Sequence, residues 1–331
     1  MTQSPPVRWG LLSTANINRR LIPAIRASAR GELVGVASRT AASAAAYSAE
    51  WGIPHPFASY EAMLASDQID AVYIPLPNHL HAEWSIKAMR AGKHVLCEKP
   101  FAISLAEVDE MTAVAAQTGR VLAEAFMYRH HPQTKLALEM VRSGRLGDVL
   151  HLQATFNFTM NDPANVRLKP EWGGGALWDV GIYPVSLAQA IFGGAPERVM
   201  GTQWVGQTGV DEVFSGQLIY SGQRVAHVVG AFCLPWHTYA EITGTAGRLV
   251  LTRPFVGQDH PERRMTFYPN GGEAEEIPVP DEYLYQGEVE DMHDAILDGR
   301  PTYLTLAETR YHIQTVLALY ESAQQGILVS L

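Results

Sequence analysis

Cysteine is almost absent: Cys97 and Cys233 are the only two in 331 residues. A single pair cannot build the dense disulfide framework of a small secreted domain. Both thiols are therefore expected to act as small apolar side chains in a reducing, cytoplasmic compartment. Long apolar runs are missing as well. Nothing approaches the roughly 20 residues that a bilayer span needs, and MTQSPPVRWG shows no basic stretch leading into an apolar one. Positive charge is in deficit, with 25 basic against 34 acidic residues and a net of −9, which disfavours nucleic acid or an anionic membrane as partner. His79 and His81 lie close together, but no cysteine or carboxylate cluster at ligand spacing joins them, so no metal site is expected. Internal repeats and low-complexity tracts are also missing. The remainder is the composition of an ordinary globular protein, long enough for one or two domains.

The first 126 residues alternate short apolar strands with helices. VRWGLL (7–12), LVGVA (33–37), AVYIP (71–75), 94–96 and 121–126 read as strands. Between them, helical patterns run to Arg26, over 41–50, over 81–91 and from a Ser104 cap to about Thr118. Pro23 is expected to kink or split the first helix, and Pro54 and Pro56 to end the second unit. This rhythm is that of a doubly wound parallel sheet, in an α/β fold. After Asp148 the pattern changes. VLHLQATFNF, RVMGTQWV, VFSGQLIY, RVAHVVGAF, TYAEITG and GRLVL alternate as antiparallel strands do. Residues 127–331 thus read as a second, α+β domain on a large, mostly antiparallel open sheet. It is closed by helices over 285–297 and 305–323, the latter with a core stripe through Leu306, Ile313, Val316, Leu317 and Tyr320.

Four stretches carry chemistry. In KHVLCEKPF (93–101), Lys99 falls at the C-terminal edge of a buried strand, where open α/β sheets bind ligands, and Pro100 turns the chain away. It either brings a positive charge into a cleft or ends a strand in water. After the first strand, the glycines of a dinucleotide fingerprint are replaced by Ser13, Ala15 and Asn18, small enough at the first two places to let a phosphate approach. The second strand ends in Ser38-Arg39-Thr40, with no carboxylate. A guanidinium and two hydroxyls suit a 2′-phosphate, and so NADP over NAD. Finally, EWGGGALWDVGIYP (171–184) places a Gly-rich loop before a helix in which Asp179 and Tyr183, four apart, share one face. They are either an acid/base pair or a helix start with a core Tyr.

Together, GLLSTANI (10–17), PNHLH (77–81), AGKHVLCEKP (91–100) and GGGALWDVGIYP (173–184) resemble the glucose–fructose oxidoreductase/inositol dehydrogenase (Gfo/Idh/MocA) family over essentially the whole chain. The resemblance implies an N-terminal Rossmann domain (1–126) that binds NADP, and a C-terminal substrate and oligomerisation domain (127–331). It implies a homodimer or dimer of dimers through the open sheet. Lys99, Asp179 and Tyr183 carry over as the catalytic groups, and a Tyr at 183 is similar to the sugar-dehydrogenase and dihydrodiol-dehydrogenase branch. Thr14, Ala15, Asn16, Ile17, Ser38, Arg39, Leu76, Pro77, Asn78, His81, Glu98, Lys99, Arg167 and Tyr285 are implied at the cofactor. Asp179 and Tyr183 are implied at the substrate, and Arg129 and Trp172 are expected as pocket walls, since an Arg and an aromatic face often hold a sugar. The expected reaction is hydride transfer between the nicotinamide and a sugar or polyol, foremost an aldose such as xylose or glucose going to its aldonolactone. Keto-sugar reduction (1,5-anhydrofructose-like), dihydrodiol oxidation and a non-enzymatic NADP-binding sensor are the alternatives.

Overall fold

The computed structural model describes residues 5–257 and 260–331. The chain forms two compact units. One extends to Met127 and takes in Tyr285–Thr309; the other comprises Tyr128–Leu284 and Arg310–Leu331.

The first unit is built on six parallel strands: β1 (Val7–Leu12), β2 (Gly31–Ala37), β3 (His55–Phe57), β4 (Ala71–Ile74), β5 (His94–Glu98) and β6 (Leu122–Ala125). Their order is β3-β2-β1-β4-β5-β6. The central strands are covered on both faces, which is why they read as continuous apolar runs. Two expectations are corrected here. Pro23 lies inside one unbroken helix, Asn18–Ala27. The segment holding Pro56 is an added strand, β3, at the sheet edge, where a missing N–H costs little. The helix Leu105–Thr118 is capped by Ser104, whose hydroxyl accepts the amide of Glu107.

Segment 285–309 joins this unit although a boundary at 126/127 would leave it in the other. Trp9 is fully buried and its indole N–H meets Nε2 of His293 at 3.0 Å. Arg30 pairs with Asp294 (2.5 Å) and Asp298 (2.7 Å). Those ion pairs are partly exposed and contribute about 0–1 kcal/mol each. Burying an indole of about 150–250 Å² contributes about 4–6 kcal/mol as an upper estimate, so Trp9 dominates the attachment.

The second unit carries β7 (Val149–Thr159), β8 (Arg198–Val205), β9 (Asp211–Tyr220), β10 (Arg224–Ala231), β11 (Cys233–Gly244), β12 (Gly247–Thr252), β13 (Met265–Pro269), β14 (Glu275–Glu276) and β15 (Val329–Ser330). The order is β14-β13-β12-β11-β7-β10-β9-β8-β15, antiparallel except for the parallel pair β7/β10. One face is covered by the helix Ile182–Phe192, in which ten residues are buried, as an almost uniformly apolar helix must be. Gln189 ties that helix to the C-terminal one by donating to Thr315 Oγ1 at 2.8 Å. On the opposite face His151 and His227 sit 2.9 Å apart, and Trp204 is 55% exposed. Burial and the neighbouring His151 hold the His227 pKa below its ordinary value.

Candidate active site

In the first unit the strand order reverses between β1 and β4, which is where open α/β sheets bind ligands. The β1 loop is tightened by its own small residues. The Ser13 hydroxyl accepts the Ala15 amide (3.1 Å), and the Asn18 side chain donates to the Ser13 carbonyl (2.8 Å). Thr14 and Ser38 hydroxyls lie 3.5 Å apart, joining this loop to the end of β2. The following helix has no acidic residue in its first turn and no side-chain cap from Ile17. Its amide dipoles therefore face Ala15–Ile17 without a competing anion, a setting that fits a phosphate group. Beside it Arg39 is exposed. Burial raises the pKa of the Tyr60 phenol, while the charge of Arg39 works to lower it. The turn thus carries positive charge where an NAD-selective site would place a carboxylate.

Leu76, Pro77 and Asn78 form the loop after β4, with a short helical turn over Asn78–Leu80. His81, which the resemblance implies at the cofactor, opens the helix that follows this loop. It is fully buried, and its Nδ1 and Nε2 lie 2.8 Å from the carbonyls of Pro100 and Leu76. Both ring nitrogens face backbone, so His81 clamps the β4 loop to the Lys99-Pro100 turn. Burial pushes its pKa down to about 4, the two carbonyls pull it up, and the Lys99 charge pushes it down again.

Lys99 follows β5 directly, and its peptide bond to Pro100 is cis. The carboxylate of Glu98 accepts the Lys99 amide at 3.2 Å and also the phenol of Tyr73. Burial raises Tyr73 far above its ordinary pKa, and the charge of Glu98, then Glu288 and Tyr285, adds to this. Tyr285 is itself buried. Glu288 is fully buried, with neither carboxyl oxygen partnered among the described residues. Its burial, then the neighbouring Glu98 and Asp291, push its pKa well up. Glu98 orders the chain at Lys99 through its bonds to the Lys99 amide and the Tyr73 phenol.

In the second unit the Gly-rich loop leads into a single π turn, Leu177–Gly181, before the helix Ile182–Phe192. Asp179 sits in this wider turn and Tyr183 near the start of the α-helix that follows it. The turn can lie close on β10 because Gly230 has no side chain: a Cβ there would meet Gly181 N at 2.8 Å. Asp179 is buried and takes Arg167 Nε at 2.7 Å. Tyr183 is 4% exposed, and its ring lies among Tyr128, Phe156 and Phe255 at centroid distances of 5.6, 5.2 and 5.6 Å. Trp172 is half-buried and stacks under the Lys169 ammonium at 4.1 Å. Arg129 is buried and donates to Ser186 at 3.2 Å, bracing the Ile182–Phe192 helix. Sequence reading passed over the aromatic box around Tyr183 and the Glu288 carboxyl. It also missed Asp211, which holds the Gly-rich turn from 34 residues downstream. No local pattern signals any of them. Among the described residues there is no group of three or more side chains able to hold a metal, and no helix long and apolar enough to cross a membrane.

The comparisons with known proteins agree with this architecture. Residues 7–126 match the model of the oxidoreductase family with an NAD-binding Rossmann fold, and residues 134–250 match the GFO/IDH/MocA C-terminal domain. D-xylose 1-dehydrogenase (NADP(+)) 2 of Haloferax volcanii is 39% identical over 98% of this chain and 99% of its own. 1,5-Anhydro-D-fructose reductase of Ensifer adhaerens is 30% identical over 96% and 97%. Among solved structures, aldose-aldose oxidoreductase from Caulobacter crescentus, complexed with glycerol, superposes with a TM-score of 0.91 at 25% identity, covering 98% of this chain and 100% of that one. With two domain models matched in order and a full-length relative at this identity, the chain belongs to the Gfo/Idh/MocA family of NAD(P)-dependent oxidoreductases.

Proposed function

We propose that the protein is an NADP-dependent sugar dehydrogenase whose preferred substrate is an aldose of the xylose or glucose type, oxidised to its aldonolactone. The observation that carries the reading is Tyr183, a phenol fixed by three aromatic rings one turn after a carboxylate–guanidinium pair. When bound at Ala15–Ile17 and Arg39, the nicotinamide cofactor supplies the hydride acceptor. Tyr183 takes the proton of the reacting hydroxyl. Lys99, at the end of β5, supplies an ammonium group able to polarise a substrate oxygen. Asp179, oriented by Arg167, accepts hydrogen bonds from neighbouring sugar hydroxyls. The names of the relatives support a sugar substrate and NADP.

Purified protein should reduce NADP in the presence of one or more aldoses, followed by absorbance of the reduced nicotinamide, and should do so better than with NAD. Turnover only of NADPH with keto-sugars would move the reading to a reductase, which the Arg167–Asp179 pair also suits. NADP binding by calorimetry without turnover of any aldose, keto-sugar, inositol or dihydrodiol would sink the enzyme assignment in favour of a sensor. We also propose that a second copy covers the open sheet face around Trp204 and the His151–His227 pair, because an exposed indole on a broad sheet face is costly to leave in water. Light scattering should then give a multiple of the 36.3 kDa chain, and a monomer at micromolar concentration would refute this.

A further inference from the structure

Asp211, the first residue of β9, has no role in the chemistry above, yet it is 3% exposed and its bonds converge on the Gly-rich turn. One carboxylate oxygen accepts the Leu177 amide at 2.7 Å, and the other accepts the Tyr320 phenol at 2.7 Å. The amide of Ala176 also contributes. Tyr320 is held in turn by the Trp178 and Phe214 rings, at 5.8 and 5.4 Å. Gly175 has φ +131°, and a Cβ on it would lie 2.1 Å from the Asp211 carboxylate. The carboxylate therefore occupies the place of a side chain at 175. The carbonyl of the same Gly175 accepts the amide of Asp179 at 3.1 Å, and its amide is bonded to the Arg167 carbonyl at 3.0 Å. A single buried carboxylate thus anchors residues 175–177, at the start of the turn that carries Asp179 and leads into the helix of Tyr183.

We propose that Asp211, backed by Tyr320, is the positioning residue of the active site: it holds the Gly173–Tyr183 turn in the geometry that presents Asp179 and Tyr183 to the substrate. The inference deepens the reading given under Proposed function and rests on it for the kinetic effect.

A carboxylate serves this purpose because it accepts from two amides and a phenol at once, which a neutral amide side chain in its place cannot do. Burial pushes its pKa up to about 6, against the Tyr320 and backbone bonds that pull it down. Among the described residues Tyr320 is the titratable side chain bonded to it. The π turn offers only the amides of Ala176 and Leu177, and β9 its own amide. Because the pKa is raised in the folded turn, protonation favours the ordered state: this contribution to stability is present at acid pH and is lost as pH rises through about 6, where the bonds of the carboxylate to Leu177 and Tyr320 hold the turn against the cost of its burial.

The test compares wild type with Asp211→Asn and Tyr320→Phe in the full chain, by sugar kinetics over pH 5–9 and by hydrogen–deuterium exchange of the peptide covering 173–183. The expected result for Asp211→Asn is a fall in kcat of about 10–100-fold, the scale of a small misplacement of reacting groups. KM for NADP should stay within about twofold. Exchange at 173–183 should quicken in Asp211→Asn. Tyr320→Phe, which leaves the carboxylate in place, should show a smaller loss of the same kind and decides the matter if Asp211→Asn does not fold. Wild-type kcat and exchange in the variants would overturn the proposal. If wild type turns over no sugar, the function reading fails, and the exchange comparison still decides whether Asp211 holds the turn.

Discussion

Tyr183→Phe is expected to lower kcat for sugar turnover by about 10²–10⁴-fold, the usual contribution of a positioned proton-transfer group, with KM for the cofactor near its wild-type value. The substitution is close to isosteric. The ring position is set by Tyr128, Phe156 and Phe255, all of which remain, so the shape of the site is kept and only the hydroxyl is removed. Loss of one hydroxyl costs about 0.5–1.5 kcal/mol of stability at most, against a larger loss in the rate barrier. The two effects separate cleanly by measuring a melting curve beside the kinetics. A variant that melts like wild type and turns over within threefold of it would remove Tyr183 from the proton path.

Arg39→Asp is expected to reverse the cofactor preference, lowering the ratio of kcat/KM for NADP over NAD by about 10²–10³-fold. Two terms add. A charge-assisted bond to phosphate is worth about 1.5–3 kcal/mol, and its loss alone gives roughly one to two decades. A carboxylate in its place repels the 2′-phosphate and can accept from the ribose hydroxyls of NAD, which carries the ratio further. Arg39 is exposed, so part of its attraction is screened by salt. Wild-type KM for NADP should accordingly rise with ionic strength, and KM for NAD should not. Ser38 is buried and next to Thr14, so it stays in place in the variant and does not confound the comparison. An unchanged ratio would place the 2′-phosphate elsewhere.

What the sequence discloses follows the range of the forces involved. β1 is read to the residue, because an apolar run bounded by polar residues is a local signal. The same holds for the helix Leu105–Thr118, whose Ser104 cap and closing Gly119 are neighbours in the chain. Lys99, Asp179 and Tyr183 stand out because motifs of a few residues surround each. The edge strand at Pro56 was hidden, since proline argues against a strand unless one knows that it lies at an edge. The π turn was hidden too, because it depends on β10 lending a glycine at position 230. The carbonyl partners of the His81 ring lie five and nineteen residues away, so its motif alone does not disclose them. Asp211 illustrates the limit: its partners are 34 and 109 residues distant, and nothing nearby in the chain distinguishes it from a surface aspartate.

The return of 285–309 to the nucleotide-binding unit has a consequence for how the chain is made. Trp9 finds His293 across 284 residues, and Arg30 finds Asp294 across 264. On the ribosome, the six strands that end at Ala125 emerge long before that partner segment exists. Through most of synthesis the nascent sheet therefore carries an indole at its centre without its native partner, and the unit that comes first in the chain is among the last to be completed.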